Sequence, residues 1–253
     1  REIEALLGEL ESRSSPLTDL QLALRLERAD GWFAQGQVAP ARAELERCLA
    51  DALSQLGPDD ALTVRAQSTL GSLLLSLDDV AAARPLLEAV YRYRRSRYSA
   101  THPALLQVIH NLGVIAVANG DYAEALRRFQ QASDGRALAL GPRDPLRLGS
   151  LLSRANLLSG MGRAAEAAPV FEEVIELFGS GSDTHRWLLP HALGCQGRNQ
   201  ARLGQFDIAL DTLRMAVEKM AAIYGVEHPR TQRLLHMQRE IESRRDAGPK
   251  IGK

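Results

Sequence analysis

Apolar and polar positions along the chain fall into a helical rhythm that recurs. The stretch His102 to Gln130 (HPALLQVIHNLGVIAVANGDYAEALRRFQ) holds two segments with apolar residues at helical spacing, separated by Asn119-Gly120-Asp121. It predicts two amphipathic helices joined by a tight turn. Steps of 42 residues from Gly120 in both directions land on Gly36, Asp78, Gly162 and Gly204. The apolar pattern travels with the turn. Seven residues before it stand Ala29, Gly71, Gly113, Ala155 and Gly197, all small. Two after it stand Val38, Val80, Tyr122, Ala164 and Phe206; five after it, Ala41, Ala83, Ala125, Ala167 and Ala209; nine after it, Leu45, Leu87, Phe129, Phe171 and Leu213. The last two positions are one helical turn apart and share a face. The pattern therefore describes a helix pair in which a small residue admits a neighbouring backbone and a large one fills the groove beside it. One such pair cannot bury its stripe alone, so the units are expected to stack.

The connecting segments align as well: GPDDA at 57–61, SATHP at 99–103, GPRDP at 141–145, DTHRW at 183–187 and GVEHP at 225–229. Glycine there suits a left-handed cap on the outgoing helix. The following Asp or His is placed to cap the incoming one, with Pro at its first turn. The expected organisation is a single solenoid over 1–245. It comprises a half repeat at 1–13, five full repeats with turns at 36, 78, 120, 162 and 204, a capping helix at 229–245 and a disordered tail at 246–253. Asp78 is a departure, because Asp tolerates a left-handed turn less well than Gly. The fifth repeat is another: its entry is soft (GSGSDTHRW), and Pro190 is expected to delay its first helix.

Taken together these residues resemble tetratricopeptide repeats of the 42-residue kind found in kinesin light chains and in bacterial signalling proteins. His102-Pro103, Asn111-Leu112-Gly113 and Gly120-Asp121-Tyr122-Ala123-Glu124-Ala125 carry the likeness in repeat three, and Pro85 and Pro169 match the family's proline in the second helix. HEAT and armadillo arrays share the period, but the order of small residue, turn, aromatic and Ala favours the tetratricopeptide. The resemblance implies an all-α, right-handed superhelical solenoid of antiparallel helix pairs. The Arg-, Ala- and Leu-rich style also resembles the C-terminal arrays of bacterial serine/threonine kinases.

Composition narrows the function. Basic and acidic residues balance at 31 each, and aromatics are 5% of the chain. Neither a bulk electrostatic attraction to nucleic acid nor a stacking platform for bases is indicated. No apolar run approaches a membrane span. Lys occurs only at Lys219, Lys250 and Lys253 against many Arg, a bias that fits a GC-rich bacterial origin. The chain starts at Arg1 within a helical pattern, which suggests a piece of a longer protein. Its compartment is then periplasmic if a transmembrane kinase carries it, and cytoplasmic otherwise.

Catalytic and metal chemistry find little footing. No glycine-rich phosphate loop or nucleophile elbow is present, and none of the six histidines is expected to pair with a second ligand at i, i+4. Cys48 and Cys195 lie far apart and read as buried thiols. No cofactor and no metal are expected. The run Tyr91-Arg92-Tyr93-Arg94-Arg95-Ser96-Arg97-Tyr98 fits the last turns of a second helix, with a basic aromatic patch for an acidic partner as the alternative.

The resemblance places ligands on the concave face, at positions about 13, 10, 6, 3 and 2 residues before each turn. By register these give Arg65, Gln107 and His191; Ser68 and His110; Asp30, Ser72, Asn156 and Arg198; and Arg202, with Asn199 beside them. The late end is basic, so a peptide carboxylate or acidic side chain is the expected occupant. The implied function is a non-catalytic protein- or peptide-binding module, in a sensor or docking region. A ligand-sensing region of a transcription regulator, or a scaffold or homodimerisation array, remains open at this point.

Overall fold

In the computed structural model, Ile3, 19–179 and 186–247 are described. They contain eleven helices and no strand: α1 (Asp19–Ala34), α2 (Val38–Gln55), α3 (Ala61–Ser76), α4 (Val80–Arg97), α5 (Pro103–Ala118), α6 (Tyr122–Leu140), α7 (Pro145–Gly160), α8 (Ala164–Gly179), α9 (Leu188–Arg202), α10 (Phe206–Tyr224) and α11 (Pro229–Asp246). The fold is all-α among the described residues. The helix expected over 1–13 lies outside the described residues apart from Ile3. So do 180–185 of the soft linker and the tail from 248.

Local chemistry sets the helix ends. The turn residues Gly36, Gly120, Gly162 and Gly204 all have φ between 77° and 80°, and Asp78 takes the same left-handed conformation at 63°. The register thus overrides the cost of a Cβ at that one site. Gly57, Gly141 and Gly225 are also left-handed, ending α2, α6 and α10. Side-chain caps then start the next helices: Asp60 accepts from the Leu62 N–H, His102 Nδ1 from Ala104, Asp144 from Leu146 and Arg147, and His228 Nδ1 from Arg230. Helix α9 lacks such a cap, since Trp187 occupies the position. It begins at Leu188, one residue later in the repeat than its counterparts. Pro190 therefore sits inside the first turn, where its missing N–H would have had no partner, and the expected delay amounts to that single residue.

Packing divides the chain into two compact units, up to Asp121 and from Tyr122. Within each, every helix packs on the next, and the first helices of successive repeats also touch: α1, α3 and α5 in unit 1, and α7, α9 and α11 in unit 2. The cores are the predicted stripes. Ala41, Ala83, Ala125, Ala167 and Ala209 are fully buried, as are Leu45, Leu87, Phe171 and Leu213. The small residues face them: a Cβ at Gly71 would lie 2.8 Å from Leu87 Cγ, and one at Gly197 equally close to Leu213 Cγ. In unit 2, Phe171 anchors a cluster with Leu148, Leu152 and Val174, and Leu213 one with Met220, Leu234 and Ile241. Tyr122 is less committed than its position suggests, being 43% exposed. The terminal helix runs one residue further than expected, and Asp246 and Ala247 close it instead of opening a tail.

Candidate functional site

In unit 1 the candidate groove residues are locked to one another. Arg65 on α3 reaches across to α1, donating from Nη2 to Glu27 (2.7 Å) and Asp30 (2.9 Å). Arg94 donates to Ser68 Oγ (3.0 Å) and to the Ala104 carbonyl (2.8 Å). Asn111 donates to Ser72 Oγ, and Gln107 Nε2 donates to Asn111 Oδ1, each at 3.0 Å. His110 is half-buried on the same helix as Gln107. Deeper between α1 and α2, Glu44 takes Arg25 at 2.7 Å and Arg28 at 2.9 Å, and Arg25 also pairs with Asp51. Burial opposes charge on Glu44, but the two guanidiniums prevail and hold its carboxyl below the ordinary value.

The Tyr91–Tyr98 run forms the last turns of α4 and the residue after them. Arg94 is internal, and its counterpart one repeat on, Arg136, is almost fully buried, with Nη1 on the Leu146 carbonyl (2.7 Å) and Ser150 Oγ (2.6 Å). Burial pushes the Arg136 guanidinium down to about 10. These two arginines fasten a second helix to the first turn of the next repeat. Arg97 lies over the Tyr93 ring at 4.0 Å, and Tyr98 stacks on His102.

Unit 2 is built differently. Arg198 and Arg202 of α9 face Arg233, His236, Glu240 and Arg244 of α11 across a groove of about 690 Å³, with Met237, Ile241 and Pro229 as apolar lining. All four arginines are exposed. Among the described residues, Arg198 and Arg233 have no ion pair; Arg202 donates to Ser159 Oγ (2.7 Å), and Arg244 lies over Phe206. The arginines outnumber the single carboxylate, Glu240, so the groove attracts anions. His191 lines an adjoining cavity of about 340 Å³ that shares Arg198, Arg233 and Met237 with the groove. Its ring keeps an edge to solvent, yet crowding by its surroundings, then Arg230 and Arg198, lower its pKa. Trp187 and Arg230 stack at 4.7 Å on the rim of that cavity.

Asn156 stands apart on α7, exposed, with its side chain reaching the Cys195 thiol. Asn199 needs correction: it is fully buried and donates to the Ala164 carbonyl at 2.9 Å, so it belongs to helix packing and not to a groove. The expectation that no histidine has a second ligand at i, i+4 also needs correction, and His236 and Glu240 of α11 are one such pair, both lining the groove. His191 and Cys195 are four residues apart on α9 and line one cavity. Burial raises the Cys195 thiol, and no group of three His, Cys, Asp or Glu is assembled among the described residues. Sequence reasoning missed Arg233, His236, Glu240 and Arg244. The signal was present, since one more 42-residue step places a turn position at Asp246, and these four fall 13, 10, 6 and 2 residues before it.

The tetratricopeptide repeat family model matches 68–137 and 104–180. These are tetratricopeptide repeats. The tetratricopeptide fold extends beyond that stretch. The nearly identical TPR-like repeats of a Podosopora anserina putative kinesin light chain, carrying one Gln-to-Met change, are 24% identical, with a TM-score of 0.66 over 80% of this chain and 96% of that one. BtubC (BKLC) from P. vanneervenii gives 17% and 0.67 over 90% and 89%. YrrB, a TPR protein with an unusual peptide-binding site, gives 17% and 0.50 over 94% and 99%. Among curated proteins none matches the chain. Among the described residues no helix is long and apolar enough to cross a membrane.

Proposed function

We propose that the chain is a non-catalytic binding module whose repeats act as one array over 1–245, and that it captures an acidic protein segment in the groove between α9 and α11. The observation that carries this reading is the convergence of Arg198, Arg202, Arg233 and Arg244 on one groove with a single carboxylate. Guanidinium pairs with carboxylate strongly and with fixed geometry. The apolar lining from Met237 and Ile241 supplies contact area between those pairs. A peptide site in the structurally similar YrrB is consistent with a repeat array serving this purpose.

The mechanism is recognition without chemistry. An extended or helical acidic segment displaces water from the groove, and its carboxylates take up guanidinium donors that otherwise face solvent. In a larger bacterial signalling protein, such as a transmembrane serine/threonine kinase, occupancy would bias the activity of an attached domain. The Arg-rich, Lys-poor style supports that context, and the sequence encoded upstream of Arg1 tests it. For the groove, an array of acidic and charge-neutralised peptides probed with wild type and Arg198→Ala/Arg202→Ala is decisive. Retention on acidic peptides by wild type alone supports the site; undiminished retention by the double variant rejects it.

A further inference from the structure

Unit 1 contains a smaller cavity of about 210 Å³ that the groove reading leaves unused. Three elements bound it: the loop before α3 with Pro58 and Asp59, the middle of α3 with Gln67, and the last turns of α4 with Arg92, Tyr93 and Arg97. Charge is sorted by element. The carboxylate of Asp59 comes from the loop and the guanidiniums come from α4. All three are exposed, and among the described residues none of them forms an ion pair. Arg97 is held over the Tyr93 ring at 4.0 Å, which limits its freedom before any ligand arrives. Gln67 is only 7% exposed, and its buried Oε1 has no hydrogen-bond partner. That oxygen is closed off from solvent, so Gln67 contributes the wall of the cavity and not a ligand contact.

We propose that this cavity binds a free α-amino acid as its zwitterion. The carboxylate sits on Arg92 and Arg97, the ammonium on Asp59, and a small aliphatic side chain lies against Pro58 and Tyr93. A simple anion would meet the Asp59 carboxylate. A simple cation would face two arginines. The interior of a peptide chain carries neither terminal charge. The volume lies below the roughly 300 Å³ at which pockets for drug-sized ligands begin, yet holds several water volumes of about 30 Å³ each. It therefore fits a molecule of amino-acid size.

Calorimetry on the 253-residue chain with glycine, alanine, valine and leucine tests this, with N-acetylvaline and valine methyl ester as probes that each lack one charge. At least one free amino acid is expected to bind, and each capped valine to bind at least tenfold more weakly than valine. Asp59→Asn is expected to weaken valine but not N-acetylvaline, and Arg97→Ala to weaken both. These side chains are exposed, so circular dichroism should report an intact fold. Absence of binding by all four amino acids overturns the proposal. Equal binding of valine and N-acetylvaline overturns it too, by reducing the cavity to an anion site. The cavity shares no residue with the α9–α11 groove, so either reading can fail alone.

Discussion

The two units use one repeat pattern and arrive at opposite electrostatics. In unit 1 the groove positions are settled internally: Arg65 answers Glu27 and Asp30, Ser68 answers Arg94, and Gln107 answers Asn111. In unit 2 the same positions on α9 and α11 bring four arginines to one groove with one carboxylate. The packing residues are interchangeable between units, whereas the groove residues are not. Capacity for a ligand therefore depends on whether neighbouring first helices supply partners for each other's charges, and not on the fold.

The largest effect expected from a single change is on the scaffold itself. Phe171→Ala removes a fully buried ring from the unit 2 core, and should cost about 3–5 kcal/mol by chemical denaturation; a loss under about 1 kcal/mol would mean that this cluster is not what holds the helices beneath the groove. Next, Glu44→Gln in unit 1 leaves Arg25 and Arg28 without their shared partner. A loss of about 3 kcal/mol is expected, near the lower end for breaking a buried pair. The pH dependence has a definite sign. The folded-state value of Glu44 is depressed, so its contribution is present above the ordinary carboxylate range and disappears as pH falls through that depressed value. Acid denaturation of wild type and Glu44→Gln should therefore converge at low pH; curves that stay parallel contradict the assignment.

A change aimed at the groove alone is Gly194→Ala. The added Cβ would collide with Leu234 Cδ2, pushing α9 from α11. A stability loss of about 1–3 kcal/mol is expected, with acidic-peptide binding reduced. Unchanged binding would show that the groove does not need this helix spacing. His191 supplies a smaller, graded test. Its pKa is held down by crowding and by Arg230 and Arg198, so it is neutral at pH 7, and an anionic ligand draws a proton onto it. Affinity for an acidic peptide should rise a few-fold as pH falls from 7 toward about 5.5, and His191→Gln should flatten that rise.

Much of this architecture was legible in the sequence because a packed repeat constrains a few positions absolutely. Gly71 and Gly197 must be small where Leu87 and Leu213 press on them, and Asp78 had to be a turn because its register neighbours are. Groove residues obey no such rule. Asn199 looked available because it is polar and adjacent to Arg198, yet it stands five residues before the turn, where Leu73 and Leu157 are buried. Arg65 looked like a ligand-binding cation, but its partners Glu27 and Asp30 come from another helix, and pairing across helices is written in three dimensions. Helix α11 reads in sequence as a solvating cap because its outer side is rich in Arg, Gln and Glu. Its inner face nonetheless keeps the register and completes the groove.

The α9–α11 groove, and not its unit 1 counterpart, is expected to select acidic segments. Fluorescence anisotropy of a labelled oligoglutamate peptide tests it most directly, with Arg198→Ala/Arg233→Ala compared against Arg65→Ala. Wild type should bind, more weakly as salt is added, with a loss of tenfold or more in the double variant and wild-type affinity in Arg65→Ala. Equal affinity in wild type and the double variant, or a loss confined to Arg65→Ala, would contradict it.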